Sequence, residues 1–373
     1  MRQITTLLIL AVGALVALSL TMLASAAMLE SRPEANLRSQ VLASLAGCAG
    51  LAVATFVDLR RVGRWVWLPY AGSLVLLVLV LTPLGTKANG AQRWLYGVQP
   101  SELAKLALVL VLAWYGARLG SRMETFRWGI LGGGVICFPL FLLVLVEPDR
   151  GTAALLGLLG LVMLLLAGAR WRHLLVPALG GAVLLGMVIF YSPNASTRIN
   201  AWLRPEQHRQ RGDHQLRQAL YAFGEGGVEG RGLGRGSLKY NVPEMRTDFI
   251  LPAVGEELGL PVTLGVVAAY LVILGTGTAI ALRAGDRQGY LLAAGVTLLI
   301  AAQALINLGV VTGLFPNKGM PLPFVSRGGS SILVMLTMVG VLLGVARQAV
   351  GGEESRPARR GRNPFHSEAE VAP

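Results

Sequence analysis

Charge is what this chain has little of: 14% of its 373 residues are Asp, Glu, Lys or Arg, against 54% hydrophobic residues and a mean hydropathy of +0.59. That balance excludes an ordinary soluble domain, in which about a quarter of the residues are charged. Cysteine is nearly absent. Cys48 and Cys137 both fall in apolar runs, which argues against a disulfide framework or a thiolate metal site and leaves each as a small hydrophobe. There are only four histidines, and His208 and His214 are not spaced i, i+4, so a helical zinc pair is a poor reading. Acids are scarcer than bases, giving a net charge of +13. No basic stripe interleaved with aromatics accompanies that excess, which points away from nucleic acid and toward anionic lipid headgroups.

Long apolar runs are abundant instead. Windows near twenty residues with few charges predict transmembrane helices at about 4–28, 39–57, 66–84, 103–117, 128–146, 152–168, 173–191, 260–282, 289–310 and 330–347. The expected architecture is all-α, a polytopic integral membrane protein of about ten transmembrane helices forming one membrane domain over residues 1–347. Residues 192–259 form a large extracytoplasmic loop between the seventh and eighth helices. Residues 348–373, with Arg356, Arg359, Arg360 and Arg362 and no apolar pattern, read as a disordered cytoplasmic tail. The first run resembles a secretory signal in its Arg2 and its Ala24-Ser25-Ala26, but it is longer than the roughly 7–15 apolar residues of such a signal, so a retained helix is expected.

Lys and Arg in the short turns set the orientation. With the N-terminus in the cytoplasm, Arg60, Arg61, Arg64, Arg118, Arg122, Arg127, Arg170, Arg172, Arg283 and Arg287 are cytoplasmic, with Arg2 and Arg347 at the ends. They outnumber Arg32, Arg38, Lys87, Arg93, Arg150, Lys318 and Arg327 on the outer side. Both termini are then cytoplasmic.

The residues that a helix bundle does not need for packing gather on the outer face. They are Asn89 to Trp94, Gln99-Pro100-Ser101-Glu102 with Lys105, Glu147-Pro148-Asp149-Arg150-Gly151-Thr152, Thr247-Asp248-Phe249 with Glu256-Glu257, Pro316-Asn317-Lys318-Gly319, and Pro321 to Ser331. Each has a plainer reading. Ser101 and Glu102 suit a helix start, Asp149 a cap, Gly328 to Ser331 a turn, and Asp248 a solvated loop acid. Independent caps do not explain a lysine and several arginines on the same surface. Glu102 and Lys105 are three apart and read either as a structural ion pair or as substrate contacts. Trp94 either anchors the interface or stacks on a sugar. Ser330 and Ser331 start a helix, where its dipole favours an anion. Gln215 to Phe223 has Leu216, Ala219, Leu220 and Phe223 on one face, as in a short helix lying on the membrane. Gly224 to Gly236 lacks a nucleotide-loop setting and reads as a tight backbone path near a phosphate.

Taken together, these motifs resemble the SEDS family (shape, elongation, division and sporulation), from the third expected helix to the tenth. Glu147 before Pro148 and the Asn317-Lys318-Gly319 turn lean toward its division-type branch. Arg327, Arg246 and Arg150 stand where the family usually has Tyr, His and an apolar residue, which affects how substrate fits locally more than the fold. The resemblance implies a peptidoglycan glycosyltransferase that polymerises lipid II into glycan strands at the outer membrane surface during division or elongation, beside a class B penicillin-binding protein that crosslinks them. It also implies that Asp248 is the essential residue.

Such a reaction needs a base and a holder for the departing charge. Asp248 is expected to accept the proton of the acceptor sugar's 4-hydroxyl. Arg93, Lys105, Lys318 or Arg246 holds the pyrophosphate, with a divalent cation, Mg or Mn, as a further candidate. Trp94, Glu102, Asp149, Glu256, Glu257, Ser326, Ser330 and Ser331 complete the expected substrate site. An α-linked donor and a β-linked product need one inverting displacement and no covalent intermediate. A lipid-linked precursor flippase, a related undecaprenyl-sugar ligase and a noncatalytic scaffold are the alternatives. A flippase should line a path through both leaflets, whereas these motifs collect at one end.

Overall fold

In the computed structural model, residues 1–27, 33–58, 62–88, 91–192, 199, 200, 202, 203, 214–237 and 247–354 are described. Lipid offers the backbone no hydrogen bonds, so the apolar runs close theirs internally as helices. These are α1 (Arg2–Ala27), α2 (Pro33–Phe56), α3 (Trp67–Leu81), α4 (Pro100–Leu119), α5 (Gly133–Val146), α6 (Arg150–Leu166) and α7 (Trp171–Phe190). After them come α8 (His214–Gly226), α9 (Ile250–Leu282), α10 (Arg287–Val311) and α11 (Gly329–Glu354). A 3-10 turn, Gly63–Val66, leads into α3, and a π-helical turn, Phe126–Gly132, leads into α5.

Nine segments of the described residues are long and apolar enough to cross a membrane. The expected span at 152–168 is the shorter helix Arg150–Leu166, whose 17 residues reach about 25 Å against a hydrocarbon core of about 30 Å. Two boundaries and one connection also differ from expectation. The large loop ends early, because residues 250–258 are helical and join α9 across a kink at Gly259, where φ is +78°. The last helix continues past residue 347 to Glu354, and 355–373 lie outside the described residues. Between α3 and α4 the chain forms a two-stranded antiparallel hairpin, β1 (Thr86–Ala88) and β2 (Ala91–Trp94).

The core lies between α4, α10 and α11, whose inward faces include Leu108, Val109, Leu112, Val296, Leu299, Met335 and Val339. Alpha2 closes tightly on α11: a Cβ added to Gly340 would lie 2.3 Å from Leu51 O, and Thr55 Oγ1 donates to Gly340 O at 3.3 Å. Small residues permit such close approach of helices in lipid. Alpha7 is the opposite case, with only 6% of its span buried inside the protein. A cavity of about 420 Å³, lined by Cys137, Phe141, Gly157, Leu161, Gly181 and others, lies between it and α5 and α6.

The turns at one end are tied by arginines. Arg287 Nη2 donates to Ala167 O at 2.6 Å, Arg347 Nη2 to Phe56 O at 3.0 Å, and Arg170 pairs with Glu124 at 3.3 Å. The opposite end carries the hairpin and the remaining motifs.

Candidate active site

The site is assembled by four connections that hydrogen-bond to one another. From the hairpin, Arg93 Nη2 donates to Pro148 O at 2.5 Å, while its Nη1 lies 3.9 Å from Asp149 Oδ1. Asp149 caps α6, accepting from the Thr152 N–H at 3.2 Å and from Thr152 Oγ1 at 3.0 Å, a favourable place for a carboxylate. Gln99 Nε2 reaches Asp149 Oδ2 at 3.5 Å, and the Gln99 N–H donates to Ser330 Oγ at 3.0 Å, joining the starts of α4 and α11.

Deeper in the bundle, Lys105 Nζ donates to Glu102 Oε1 and to Gln303 Oε1, both at 2.7 Å. Lys105 is 1% exposed and Glu102 2%. Gln303 Nε2 continues to Pro321 O at 2.9 Å. One helical turn on, Asn307 Nδ2 donates to both Met320 O, at 2.7 Å, and Asp248 O, at 2.8 Å. Ser326 Oγ accepts from the Leu322 N–H and donates to Thr247 O. The two amides of α10 and the serine thus fasten the 320–326 loop and the Thr247-Asp248 turn together over the end of the bundle.

Asp248 is half-buried, and its carboxylate packs on Gly319, where an added Cβ would lie 3.1 Å from Oδ2. Gly319 has φ +61°, a conformation that glycine adopts readily. On the other flank, a Cβ on Gly151 would lie 3.1 Å from the Met320 side chain and 3.4 Å from Lys318 O. The Lys318–Met320 turn is therefore a shared wall between Asp248 and the start of α6. Burial holds the Lys318 ammonium below the usual lysine range.

Glu147, at the C-terminal end of α5, is 1% exposed, and neither carboxyl oxygen has a hydrogen-bond partner. Burial chiefly, then repulsion from Asp149, pushes its pKa up to about 8 against the opposing pull of Arg93.

The remaining expected residues have the following surroundings. Glu256 Oε1 accepts from the Ser237 N–H and Oγ and from Arg231 Nη1. Glu257 Oε2 accepts from Ser25 Oγ of α1 and from the Gly234 N–H at 3.0 Å. The glycine segment expected near a phosphate instead wraps this part of α9, with the Arg231 and Gly232 N–H groups donating to Glu256 O and Glu257 O. Alpha8, expected on the membrane, packs on α9 through Ala219, Ala222 and Phe223, while Leu220 is exposed. Trp94 is half-buried at the end of β2, Ser330 accepts from Gln99, and Ser331 is buried in the first turn of α11. Arg246 lies outside the described residues. Gln303 and Asn307 were not among the expected site residues; two amides one turn apart in an apolar run are the signal that marks them. Among the described residues, no three His, Cys, Asp or Glu side chains converge to hold a metal.

Residues 1–350 match the family described as cell cycle protein, FtsW, RodA and SpoVE. The probable peptidoglycan glycosyltransferase FtsW of Trichlorobacter lovleyi is 38% identical over 316 residues, 83% of either chain. Stage V sporulation protein E of Bacillus subtilis is 37% identical over 310 residues, 80% of this chain and 85% of that one. Among solved structures, a chain from a peptidoglycan synthase complex, described for its structural coordination of polymerization and crosslinking, superposes with a TM-score of 0.74 at 28% identity, covering 92% of this chain and 97% of that chain. The Thermus thermophilus rod shape determining protein RodA gives 0.67 at 28% identity, covering 92% and 96%. Helices, motifs and relatives agree, and the chain belongs to the FtsW/RodA/SpoVE family.

Proposed function

We propose that this protein is a peptidoglycan glycosyltransferase, polymerising lipid II into glycan strands at the outer face of the bacterial inner membrane, with both termini cytoplasmic. The observation that carries the reading is the Lys318–Met320 turn, flanked by the Asp248 carboxylate on one side and by the start of α6, with Asp149 and Arg93, on the other. A base and cations for an anionic leaving group then share one wall.

In this reaction the acceptor sugar's 4-hydroxyl gives its proton to Asp248 as its oxygen bonds to the donor's anomeric carbon. The bond from that carbon to the pyrophosphate oxygen breaks, and its electron pair leaves with undecaprenyl pyrophosphate. One displacement inverts the α-linkage to β. Arg93 and Lys318 hold the departing charge. Lys105, closed on Glu102 and Gln303, supports the loop rather than reaching the phosphates. Asp149 orients Arg93, and Glu256 and Glu257 secure α9 behind Asp248. No set of three His, Cys, Asp or Glu side chains that would hold a divalent cation converges among the described residues. The peptidoglycan synthase complex among the structural relatives supports a crosslinking partner of the class B penicillin-binding type.

The test is glycan synthesis from lipid II by the purified protein with a transpeptidase-inactive partner, resolved on a gel. Asp248→Asn, folded as wild type, is expected to lose at least about 100-fold in rate. Equal polymer from both proteins would remove Asp248 from the mechanism, and no polymer from wild type with any partner would move transport or scaffolding ahead.

A further inference from the structure

Arg93 and Glu147 are neighbours with complementary unmet needs. Arg93 donates to the carbonyl of Pro148, the residue after Glu147, and its distance of 3.9 Å to Asp149 is at the limit of an ion pair. Its Nε is buried with no partner, and so are both carboxyl oxygens of Glu147. Buried polar atoms normally find partners, and a guanidinium beside an ionised carboxylate makes the strong, often bidentate pair. Here the donor and both acceptors go unpartnered although the Arg93 guanidinium already holds the carbonyl of the residue next to Glu147.

Among the described residues, the charged groups that act on Glu147 are few. Arg93 comes from β2 and Asp149 from the turn that follows Glu147. On α4, Glu102 and Lys105 are bound to each other. On α6, Arg150 donates to Ser192 Oγ. Alpha3 brings Tyr70, hydrogen-bonded to Ile136 O farther down α5. Arg172 and His173 of α7, and Arg127 before α5, belong to the opposite end of the bundle.

We infer that Glu147 is a positioning residue for substrate: as a neutral acid it leaves Arg93 available to a lipid pyrophosphate, and as a carboxylate it takes the Arg93 guanidinium for itself. The inference rests on the proposed function only in taking the anion to be a lipid pyrophosphate. Raising the pH converts Glu147 to the competing form. The burial that favours its neutral form places this change near neutrality rather than in the acid range. Loss of the proton adds a negative charge beside the anion and withdraws a positive one, so both effects weaken binding in the same direction.

The experiment measures binding of undecaprenyl pyrophosphate to the full-length protein in lipid nanodiscs from about pH 6 to about pH 9. Wild type is expected to weaken by about tenfold across the range. Glu147→Gln, neutral at every pH, should bind tightly with that weakening abolished. Glu147→Leu serves the same purpose if the glutamine variant does not fold. Arg93→Gln should bind weakly throughout, with no arginine left to be captured. A merely structural Glu147 would change affinity without changing its pH slope. A flat wild-type profile, or a Glu147→Gln profile that keeps the wild-type slope, overturns the inference. The expected binding profile in a protein that makes no glycan from lipid II would overturn the polymerase reading and leave this one standing.

Discussion

Lys105 is a long cation placed where neither lipid nor water solvates it, and Glu102 and Gln303 are what make it tolerable. Glu102 Oε2 has no hydrogen-bond partner, so removing the ammonium leaves a buried carboxylate with nothing to neutralise it. Lys105→Met is expected to destabilise the protein by about 3–5 kcal/mol, and adding Glu102→Leu should recover most of that; thermal unfolding in detergent reads both. Glu147 gives a second test at this scale. Its pKa rises from 4.5 in the unfolded chain to about 8 in the folded protein, so the folded state holds the proton more strongly. The stability this contributes is present below pH 4.5 and lost as pH rises through about 8. Glu147→Gln should therefore gain on wild type across that window in the same unfolding assay. Asp248, Arg93, Lys318 and Asp149 were legible in the sequence because they interrupt or border apolar runs where charge is expensive. Their division of labour was not, because hydrogen-bond partners from other segments, such as Arg93 on the Pro148 carbonyl 55 residues away and Gln99 on Asp149 50 residues away, decide whether a carboxylate caps, pairs or stays unpartnered.

Among the elements, α9 shows how a motif can mislead about a boundary. Its apolar stretch is readable from residue 260, but Glu256 and Glu257 break the pattern before it and disguise a helix that begins at Ile250. Those acids are accommodated by the glycine segment, whose N–H groups lie against them. Gly259 makes the junction possible: its φ is +78°, and a Cβ there would fall 2.2 Å from Val228 O. Gly259→Ala should cost at least about 1–3 kcal/mol and release the glycine segment, seen as faster hydrogen exchange at Arg231 and Gly232. Alpha8 illustrates the same limit. Amphipathicity found the helix, but it could not say whether its apolar side meets lipid or α9.

At the scale of the molecule, the ten apolar runs in the sequence correspond, among the described residues, to nine span-length segments and the shorter α6, because lipid forces apolar runs to close their backbone hydrogen bonds as helices. Orientation is testable directly. After Cys48 and Cys137 are replaced, a single cysteine at exposed Tyr96 in the hairpin connection should react with a membrane-impermeant maleimide on intact spheroplasts, whereas one at exposed Ser121 should react only after lysis. The reverse pattern would invert the topology and put the site on the wrong side for a glycan polymerase.

The uneven grip on the helices has a mechanical consequence. Displacing a helix costs what its contacts are worth, and that differs sharply around the bundle. Alpha2 and α11 are locked backbone to backbone at Gly340, whereas α7 has 6% of its span buried and faces a cavity of about 420 Å³. Lateral strain on this protein will be relieved first where α7 meets α5 and α6, leaving the α2–α11 side as the fixed frame against which the Lys318–Met320 turn keeps its shape.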